Sequence, residues 1–217
     1  VDPHRLVAAL AAAFERTGGT LRRGARVTRV VADGDRATGL ELATREVVPA
    51  GQVVLAPGVG TIDVPSPVPI RPIKGQTLYL RGERLVDRTI RGAEAYLVPR
   101  DDGHYVLGAT MEERGWSTAP TAGGVYELLR DMSELVPGVL ELEIEALRVG
   151  LRPATPDNLP AIGPGALEGL IWAAGHYRNG ILLAPVTADL VAGALCGEDL
   201  PEWAAPADPR RFAEVPA

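Results

Sequence analysis

The chain has 217 residues, of which 46% are hydrophobic and 23% are charged, as is typical of soluble globular domains. Its formal net charge of -6 argues against a basic surface for nucleic acid. No apolar run approaches the ~20 residues that a membrane-spanning helix requires, so we expect no membrane partner. The single cysteine, Cys196, excludes an internal disulfide framework and favours a reducing compartment, which predicts a cytoplasmic protein.

The N-terminal part of the chain predicts a helix followed by short strands. Apolar residues recur on one helical face between residues 2 and 17, and Asp2-Pro3 is typical of a helix start. Because the chain opens at that helix start without a methionine, we interpret it as a fragment. Three short β-runs follow, at 26–32, 37–43 and 52–56. Four prolines between Thr61 and Pro72 then indicate a crossing between structural units.

The remainder predicts an antiparallel sheet with helices at its borders. Segments that favour strands lie at 77–80, 96–99, 104–107, 143–151 and 170–174. The turn Asp101-Asp102-Gly103 joins two of them as a hairpin. Helices are predicted at 121–136 and 181–195, and we expect the tail after Pro201 to be loosely held. The fold class is therefore α+β: an antiparallel or mixed β-sheet domain with flanking helices, together with β-rich and helical parts of a second domain.

Several common site signatures do not occur in the sequence. A glycine-rich G-x-G-x-x-G turn, which lets backbone N–H groups approach a pyrophosphate, fails at Gly58-Val59-Gly60 because Asp63 occupies the third glycine position. His4, His104 and His176 have no second ligand at a metal-binding offset, so no metal site is predicted.

Two short segments carry residues suited to chemistry. Arg152 ends an apolar strand before Pro153, where a planar guanidinium suits a carboxylate. By spacing alone, a structural salt bridge is the favoured interpretation of Arg152. The polar turn Gly175–Gly180 opens a hydrophobic helix, whose N-terminus stabilises negative charge. Composition alone is equally consistent with a plain strand-to-helix loop.

Six segments, in a fixed order, carry a resemblance to a known family. They are Val1–Pro3, Pro72–Gln76, Tyr96–Arg100, Gly108–Glu112, Gly150–Pro153 and Gly175–Pro185. With these segments the sequence resembles the glycine oxidase/D-amino-acid oxidase family of FAD-dependent oxidoreductases, and within it the glycine oxidases of thiamine biosynthesis.

The resemblance implies roles for particular residues. Arg152 would bind the substrate carboxylate with help from a hydrogen bond of Tyr96, Met111 would line the cavity over the flavin, and Arg178 would reach the substrate or the flavin edge. The implied cofactor residues are Val27, Ala56, Gly58, His176, Arg178, Asn179, Gly180 and Ile181. Relatives with covalent flavin use a cysteine ahead of the final flavin loop. Since Cys196 lies after that loop, we expect non-covalent FAD.

The resemblance also implies a domain plan. Residues 1–66 would be the C-terminal side of an FAD-binding domain, 67–164 a substrate-binding sheet domain, and 165–217 the final strand and helix of the FAD-binding domain. The glycine-rich unit that binds the pyrophosphate would be missing, so we expect this chain to hold FAD weakly or not at all and to be inactive by itself. The β-runs at 25–57 and the strand at 170–174 would then expose apolar faces, which favours a homo-oligomer.

The implied activity of the whole protein is the oxidation of glycine or a similar small amine to the imine, giving glyoxylate and hydrogen peroxide. Sarcosine, D-amino acids and D-proline are alternative substrates, because pocket size rather than any motif decides among them. A non-catalytic module that cannot hold FAD is the alternative of another class.

Overall fold

The computed structural model describes residues 1–213, which divide into two compact units. The first unit comprises Val1–Pro69 together with the chain from Asn158 onward, and the second unit comprises Ile70–Asp157. The predicted plan assigned residues 158–164 to the substrate domain. In the structure the strand Ala161–Pro164 instead pairs with Leu170–Ala174, within the first unit.

The helices and strands follow one another along the chain in this order. They are α1 (Pro3–Arg16), β1 (Val27–Asp33), β2 (Arg36–Leu42), β3 (Val47–Pro49), β4 (Val53–Leu55), β5 (Arg71–Arg81), β6 (Ile90–Arg91), β7 (Tyr96–Pro99), β8 (His104–Gly108), α2 (Ala122–Ser133), β9 (Glu143–Ala154), β10 (Ala161–Pro164), β11 (Leu170–Ala174) and α3 (Gly180–Leu195). This arrangement confirms the predicted α+β fold, with antiparallel and mixed sheets and flanking helices.

The described part of the first unit contains two three-stranded sheets. One has the order β1-β2-β3 and is antiparallel. The other has the order β10-β11-β4, in which β11 runs antiparallel to β10 but parallel to β4. Leu170, Ile171 and Trp172 of β11 are all buried. The expectation that strand 170–174 exposes an apolar face is therefore wrong, because β10 and β4 flank this strand and α3 contacts it.

Exposed apolar side chains of the first unit lie on its helices and also on the β-run 25–57, where Val47 is 50% and Val54 is 39% exposed. Helix α1 begins as predicted, with the Asp2 carboxylate accepting hydrogen bonds from the backbone N–H groups of His4 and Arg5. Its apolar stripe nevertheless includes Val7 at 62% exposure and Leu10 at 56%. In α3, as in α1, no side chain is fully buried.

The described part of the tail, from Pro201 to residue 213, is more ordered than predicted. It forms two short 3₁₀ helices, Glu202–Ala207 and Pro209–Phe212. Ala204 and Pro209 are buried, and Pro209 packs near Gly163 of β10. Proline stiffens this segment and supplies apolar surface, so its proline content stabilises a docked conformation.

The second unit is built on one five-stranded antiparallel sheet with the order β6-β7-β8-β5-β9. Strands β5 and β9 are longer than the predicted 77–80 and 143–151, because they pair from Arg71 opposite Ala154 to Arg81 opposite Glu143. Helix α2 covers one face of this sheet. Its Leu128 and Met132 join Leu78 and Leu80 in a single buried core.

No helix among residues 1–213 combines the length and the apolar character needed to cross a membrane.

Candidate active site

The face of the five-stranded sheet that points away from α2 carries two of the predicted substrate residues. Side chains alternate along a strand, so Gly75 and Thr77 project opposite to the core residue Leu78. Direct antiparallel partners project to the same side. Gly150 opposite Gly75, and Tyr96 and Thr77 on either side of Gly108, therefore lie on this second face. We call it the open face.

Arg152 is the strand partner of Ile73, and its side chain extends so that the guanidinium lies over Gly75. A Cβ atom on Gly75 would come within 2.5 Å of Arg152 Nη2 and 2.7 Å of its Cζ, so only glycine leaves room for the guanidinium in this position. Arg152 Nη1 donates hydrogen bonds to the backbone carbonyl oxygens of Thr110 at 3.1 Å and Lys74 at 3.4 Å. Both acceptors are neutral, so these two bonds orient the guanidinium without cancelling its charge.

Tyr96 has a similar relation to Gly108. It begins β7 and is half-buried, and a Cβ on Gly108 would lie 2.6 Å from the phenol oxygen of Tyr96. Glycine at this position lets the ring lie flat against β8. The open face thus holds a phenol and a guanidinium, each fitted over a glycine.

Met111 lies on the segment that follows β8. It is 54% exposed, whereas its neighbour Thr110 is only 7% exposed. The segment is tied to β5 by two backbone hydrogen bonds between Lys74 and Glu112, of 2.9 and 3.0 Å. Met111 is therefore presented on a segment that β5 holds in place.

The predicted cofactor residues belong to the first unit, whereas Arg152, Tyr96 and Met111 belong to the second. Ala56 and Gly58 follow β4, and the turn from His176 to Gly180 follows β11. Since β4 and β11 are parallel neighbours, with Leu55 opposite Trp172, both loops leave the sheet at the same edge. The carboxyl edge of parallel strands is the usual position of ligands in open α/β sheets.

Val27 is connected to the same loop. The chain that follows Gly58 reaches β1 at Asp63, whose carbonyl accepts from the Val30 N–H at 3.0 Å and whose N–H donates to Thr28 at 2.9 Å. Val27 begins β1 next to this contact.

The turn before α3 is fixed by His176. A hydrogen bond of 2.9 Å joins His176 Nε2 to Oγ1 of Thr187, which lies within α3. Burial lowers the pKa of His176 below its ordinary value of 6.5, so the ring is neutral at pH 7. This bond ties the loop to the helix that it opens.

The start of α3 supplies the donors that a flavin requires. The Asn179 side chain makes no capping hydrogen bond there. The first-turn N–H groups, including those of Gly180 and Ile181, have no partner within the helix and carry its positive dipole end. Such donors suit the negative charge that gathers on the pyrimidine edge of a reduced flavin. Arg178 is exposed on the same turn. By this donor set, the residues present fit FAD.

A buried polar network beside Arg152 was not assigned a role from the sequence. It consists of Lys74, Gln76, Thr110, Glu112 and Thr121. Lys74 is 1% exposed and Gln76 is 0% exposed. Both project to the same buried side of β5 as Leu78 and Leu80, which follow them in the strand. A lysine and a glutamine in phase with core leucines are the sequence signal that could have identified it.

Glu112 is the acceptor at the centre of this network. Its Oε1 accepts from Thr110 Oγ1 at 2.6 Å and Gln76 Nε2 at 2.7 Å, while Oε2 lies 3.3 Å from Lys74 Nζ. Burial favours the neutral acid, but hydrogen bonds from Thr110, Gln76 and Lys74, together with the Lys74 charge, hold the pKa of Glu112 below 4.5. Glu112 is therefore ionised at neutral pH.

Gln76 extends the network to helix α2. Its Nε2 donates to Thr121 Oγ1 at 2.9 Å, and its Oε1 accepts from the Thr121 N–H at 2.8 Å. Thr121 is the N-cap of α2 and accepts from the Gly124 N–H. Within residues 1–213, no group of three or more His, Cys, Asp or Glu side chains could hold a metal ion.

Replacing Gly75 by alanine is expected to weaken carboxylate binding at Arg152 while the fold is retained. The added methyl group would occupy the guanidinium position, and a flexible side chain can move away more easily than the strand can. We expect roughly a tenfold rise in the Kd for acetate, comparable to one misaligned charge-assisted hydrogen bond. NMR titration of the chain would measure it.

Gly150→Ala is the matched control. Gly150 is the direct strand partner of Gly75, but a Cβ there would meet open space within 4 Å. Equal acetate affinities for the two alanine variants would show that Arg152 does not depend on the gap at Gly75.

Comparison with known proteins identifies the family of the chain. A family described as FAD dependent oxidoreductase matches residues 1–194. The bifunctional protein ThiO/ThiG of Synechocystis sp. is 35% identical over 218 residues, which cover 98% of this chain and 33% of that protein. Glycine oxidase of Pseudomonas putida is 34% identical over 186 residues, covering 83% of this chain and 51% of that enzyme.

A solved structure gives the same result. Glycine oxidase from Geobacillus kaustophilus superimposes with a TM-score of 0.84 at 32% identity, over 94% of this chain and 56% of that one. The chain belongs to the FAD-dependent oxidoreductase family that includes D-amino-acid oxidase, and its relatives include glycine oxidases. It spans between a third and about half of the length of the two curated relatives described.

Proposed function

We propose that the chain forms the substrate-binding surface and part of the flavin site of an oxidase that converts glycine, or a similar small amine, to the imine. Hydrolysis of the glycine imine gives glyoxylate, and dioxygen as the electron acceptor gives hydrogen peroxide. The proposed setting is the formation of the thiamine thiazole, which the resemblance to the glycine oxidases of thiamine biosynthesis implies.

The observation that carries this proposal is the position of Arg152. Its guanidinium lies over Gly75 on the open face, held at Nη1 by two backbone carbonyls. A planar fork held in this way is suited to a small carboxylate. Tyr96 lies on the same face and would donate a hydrogen bond to that carboxylate.

Orientation is the main contribution that these residues would make. Pinning the carboxylate fixes the position of the α-carbon, and well-oriented reactants gain roughly 7–11 kcal/mol from proximity in favourable cases. FAD, when bound, supplies the electron acceptor for the amine. The residues proposed to hold it non-covalently are Val27, Ala56, Gly58, His176, Arg178, Asn179, Gly180 and Ile181. We expect the chain to hold FAD weakly, since the sequence lacks a G-x-G-x-x-G turn.

A non-catalytic module is the second candidate. The same missing motif favours it, because backbone contacts to the pyrophosphate supply much of the affinity for a dinucleotide. Among the possible substrates, we place glycine ahead of sarcosine and D-amino acids because two relatives are named glycine oxidase.

The test begins with FAD titration of the purified chain, followed by desalting. Flavin absorbance retained near roughly 450 nm would count against the non-catalytic module. Hydrogen peroxide production is then measured with glycine, sarcosine, D-alanine and D-proline in an excess of added FAD, because the chain is expected to hold FAD weakly. Oxidation of glycine with the highest kcat/KM is the expected result. A flavin-loaded protein that oxidises none of these amines would contradict the proposal.

Self-association is proposed for the same chain. The exposed apolar stripe of α1 and Leu182, which is 78% exposed on α3, support a homo-oligomer. Light scattering should give a mass that is a multiple of the 22.9 kDa chain. The variant Leu10→Glu, which places a charge on the stripe, should lower that mass. A monomeric parent chain would contradict this expectation.

A further inference from the structure

We infer that the buried Lys74–Glu112 ion pair, with Gln76 and Thr110, is a positioning device for Arg152. It fixes the two backbone carbonyls that hold the guanidinium, and thereby sets the direction in which Arg152 meets a carboxylate. This inference rests on the proposed function of Arg152 as the carboxylate anchor. None of the four residues is assigned to contact the substrate.

Backbone hydrogen bonds first bring the segment after β8 alongside β5. The Lys74 N–H donates to the Glu112 carbonyl at 2.9 Å, and the Glu112 N–H donates to the Lys74 carbonyl at 3.0 Å. The Thr110 N–H also donates to the Gln76 carbonyl, at 3.2 Å. The two carbonyls that accept from Arg152, those of Lys74 and Thr110, therefore belong to two strands of chain held against each other.

Side chains of the same residues then lock this contact. Thr110 Oγ1 accepts from the Gln76 backbone N–H at 2.9 Å and donates to Glu112 Oε1. Lys74 Nζ lies 3.3 Å from the other carboxylate oxygen of Glu112. Each residue that supplies a carbonyl to Arg152 thus also binds Glu112 through its side chain. A shift of Glu112 would therefore disturb both residues whose carbonyls hold the guanidinium.

Stability alone is a weak reason for such a network. Taking a lysine and a carboxylate out of water is costly, and apolar residues of similar volume often stabilise a core at least as well. Polar networks with every member hydrogen-bonded instead define one geometry and exclude others. The network ends on the acceptors of Arg152 at one side and on the N-cap of α2 at the other. This position matches a role in fixing Arg152.

Charge balance supports the same role. Glu112 offsets the positive charge of Lys74 next to the anchor. Without the carboxylate, the buried ammonium would need another acceptor. The candidates include the backbone carbonyls of Lys74 itself and of Thr110, whose N–H is hydrogen-bonded to β5 at Gln76. Competition for those oxygens would release Nη1 of Arg152.

The test uses the full 217-residue chain, labelled with ¹⁵N-arginine, and acetate as the carboxylate probe at constant ionic strength. The Arg152 Nε–Hε signal reports both binding and the order of the guanidinium. Glu112→Gln should raise the Kd for acetate about tenfold, as expected for a misaligned charge-assisted hydrogen bond, and should broaden or shift this signal. A purely structural role would lower the unfolding midpoint but leave both readouts unchanged.

Glu113→Gln is the matched control, since Glu113 is the next residue and forms an exposed pair with Arg71. It should leave the Kd within about twofold of the parent, as exposed ion pairs contribute little. If Glu112→Gln does not fold, Thr110→Val and Thr110→Ser decide the question. Valine removes the hydroxyl and should weaken acetate binding, whereas serine keeps the hydroxyl and should retain it.

Arg152→Ala separates the two proposals. If it loses acetate binding while folded Glu112→Gln and Thr110→Val variants keep the parent Kd, the positioning role is wrong and the anchor stands. If the parent chain binds no acetate, or Arg152→Ala binds it equally well, the anchor itself is wrong and the positioning role falls with it.

Discussion

Replacement of Arg152 by alanine should reduce kcat/KM for the amine substrate by roughly 30- to 5,000-fold in the flavin-loaded protein. This range corresponds to the roughly 2–5 kcal/mol lost when one partner of a desolvated, hydrogen-bonded charge pair is truncated. The physical reason is that the guanidinium over Gly75 would no longer pin the carboxylate. Steady-state oxygen consumption over a range of substrate concentrations measures the change, which should fall mainly on KM.

Arg148→Ala provides a control on the same strand. Arg148 pairs with Thr77 and therefore projects from the open face, but its guanidinium stacks on the Tyr79 ring at 4.9 Å and the residue is exposed. Its loss should change kcat/KM far less than the loss of Arg152. Equal effects of the two substitutions would mean that general positive charge, rather than a fixed anchor, attracts the substrate.

Replacement of Lys74 by methionine should destabilise the second unit by roughly 3–5 kcal/mol, because it leaves a buried carboxylate without its cation. We expect the lower end of this range, since the Glu112 side chain is 15% exposed and can recover some hydration. Urea denaturation followed by circular dichroism measures the free energy of unfolding. Hydrogen exchange of the Leu78 and Leu80 amides would assign the loss to the second unit.

The double variant Lys74→Met/Glu112→Gln should recover much of that stability, because no unpaired charge remains. Acid provides a second check. The depressed pKa of Glu112 contributes stability above its ordinary value of 4.5, and this contribution is lost as the pH falls through the folded-state pKa. The difference between the parent and Lys74→Met should therefore shrink in acid. A constant difference down to acidic pH would argue that the methionine acts by packing alone.

The sequence predicts those parts of the fold in which local chemistry and tertiary structure agree. The hairpin at 96–107 alternates apolar residues around a turn that contains Asp102 and Gly103, and both adopt positive φ in the structure. Helix α1 carries its own N-cap in Asp2. In each case a signal within a few residues is sufficient, so the pattern could be read without knowledge of distant partners.

Short strands depend on their pairing partners rather than on a pattern of their own. Strand β10, Ala161–Pro164, contains glycine and proline, and it is a strand because β11 pairs with it. Strand β3 has three residues, no periodic pattern of its own, and β2 as its partner. Pairing of this kind overrides local preference.

The residues of the candidate site also differ in how much of their role a local sequence signal reveals. Arg152 could be singled out because a strand end followed by Pro153 is a local feature. Lys74 and Gln76 offer only a weaker local signal, their phase with the core residues Leu78 and Leu80, since a polar residue in a strand normally faces water. Their burial follows from Glu112 and Thr121, which lie far along the chain and meet them only in the folded sheet. The prediction of Arg152 as an anchor came from the family resemblance carried by six segments together, because its own position in the sequence favoured a structural salt bridge.

The parallel contact between β4 and β11 has a consequence for the order of folding. Leu55 and Trp172 are neighbours in the sheet, yet the whole second unit is inserted between them in the chain. Closing so long a connection costs entropy that only later contacts can repay. The second unit is continuous in sequence and can form before that closure, so we expect the edge that carries the two loops proposed to hold FAD to be assembled last. A ligand at this edge would therefore stabilise the contact between β4 and β11 at a late stage of folding.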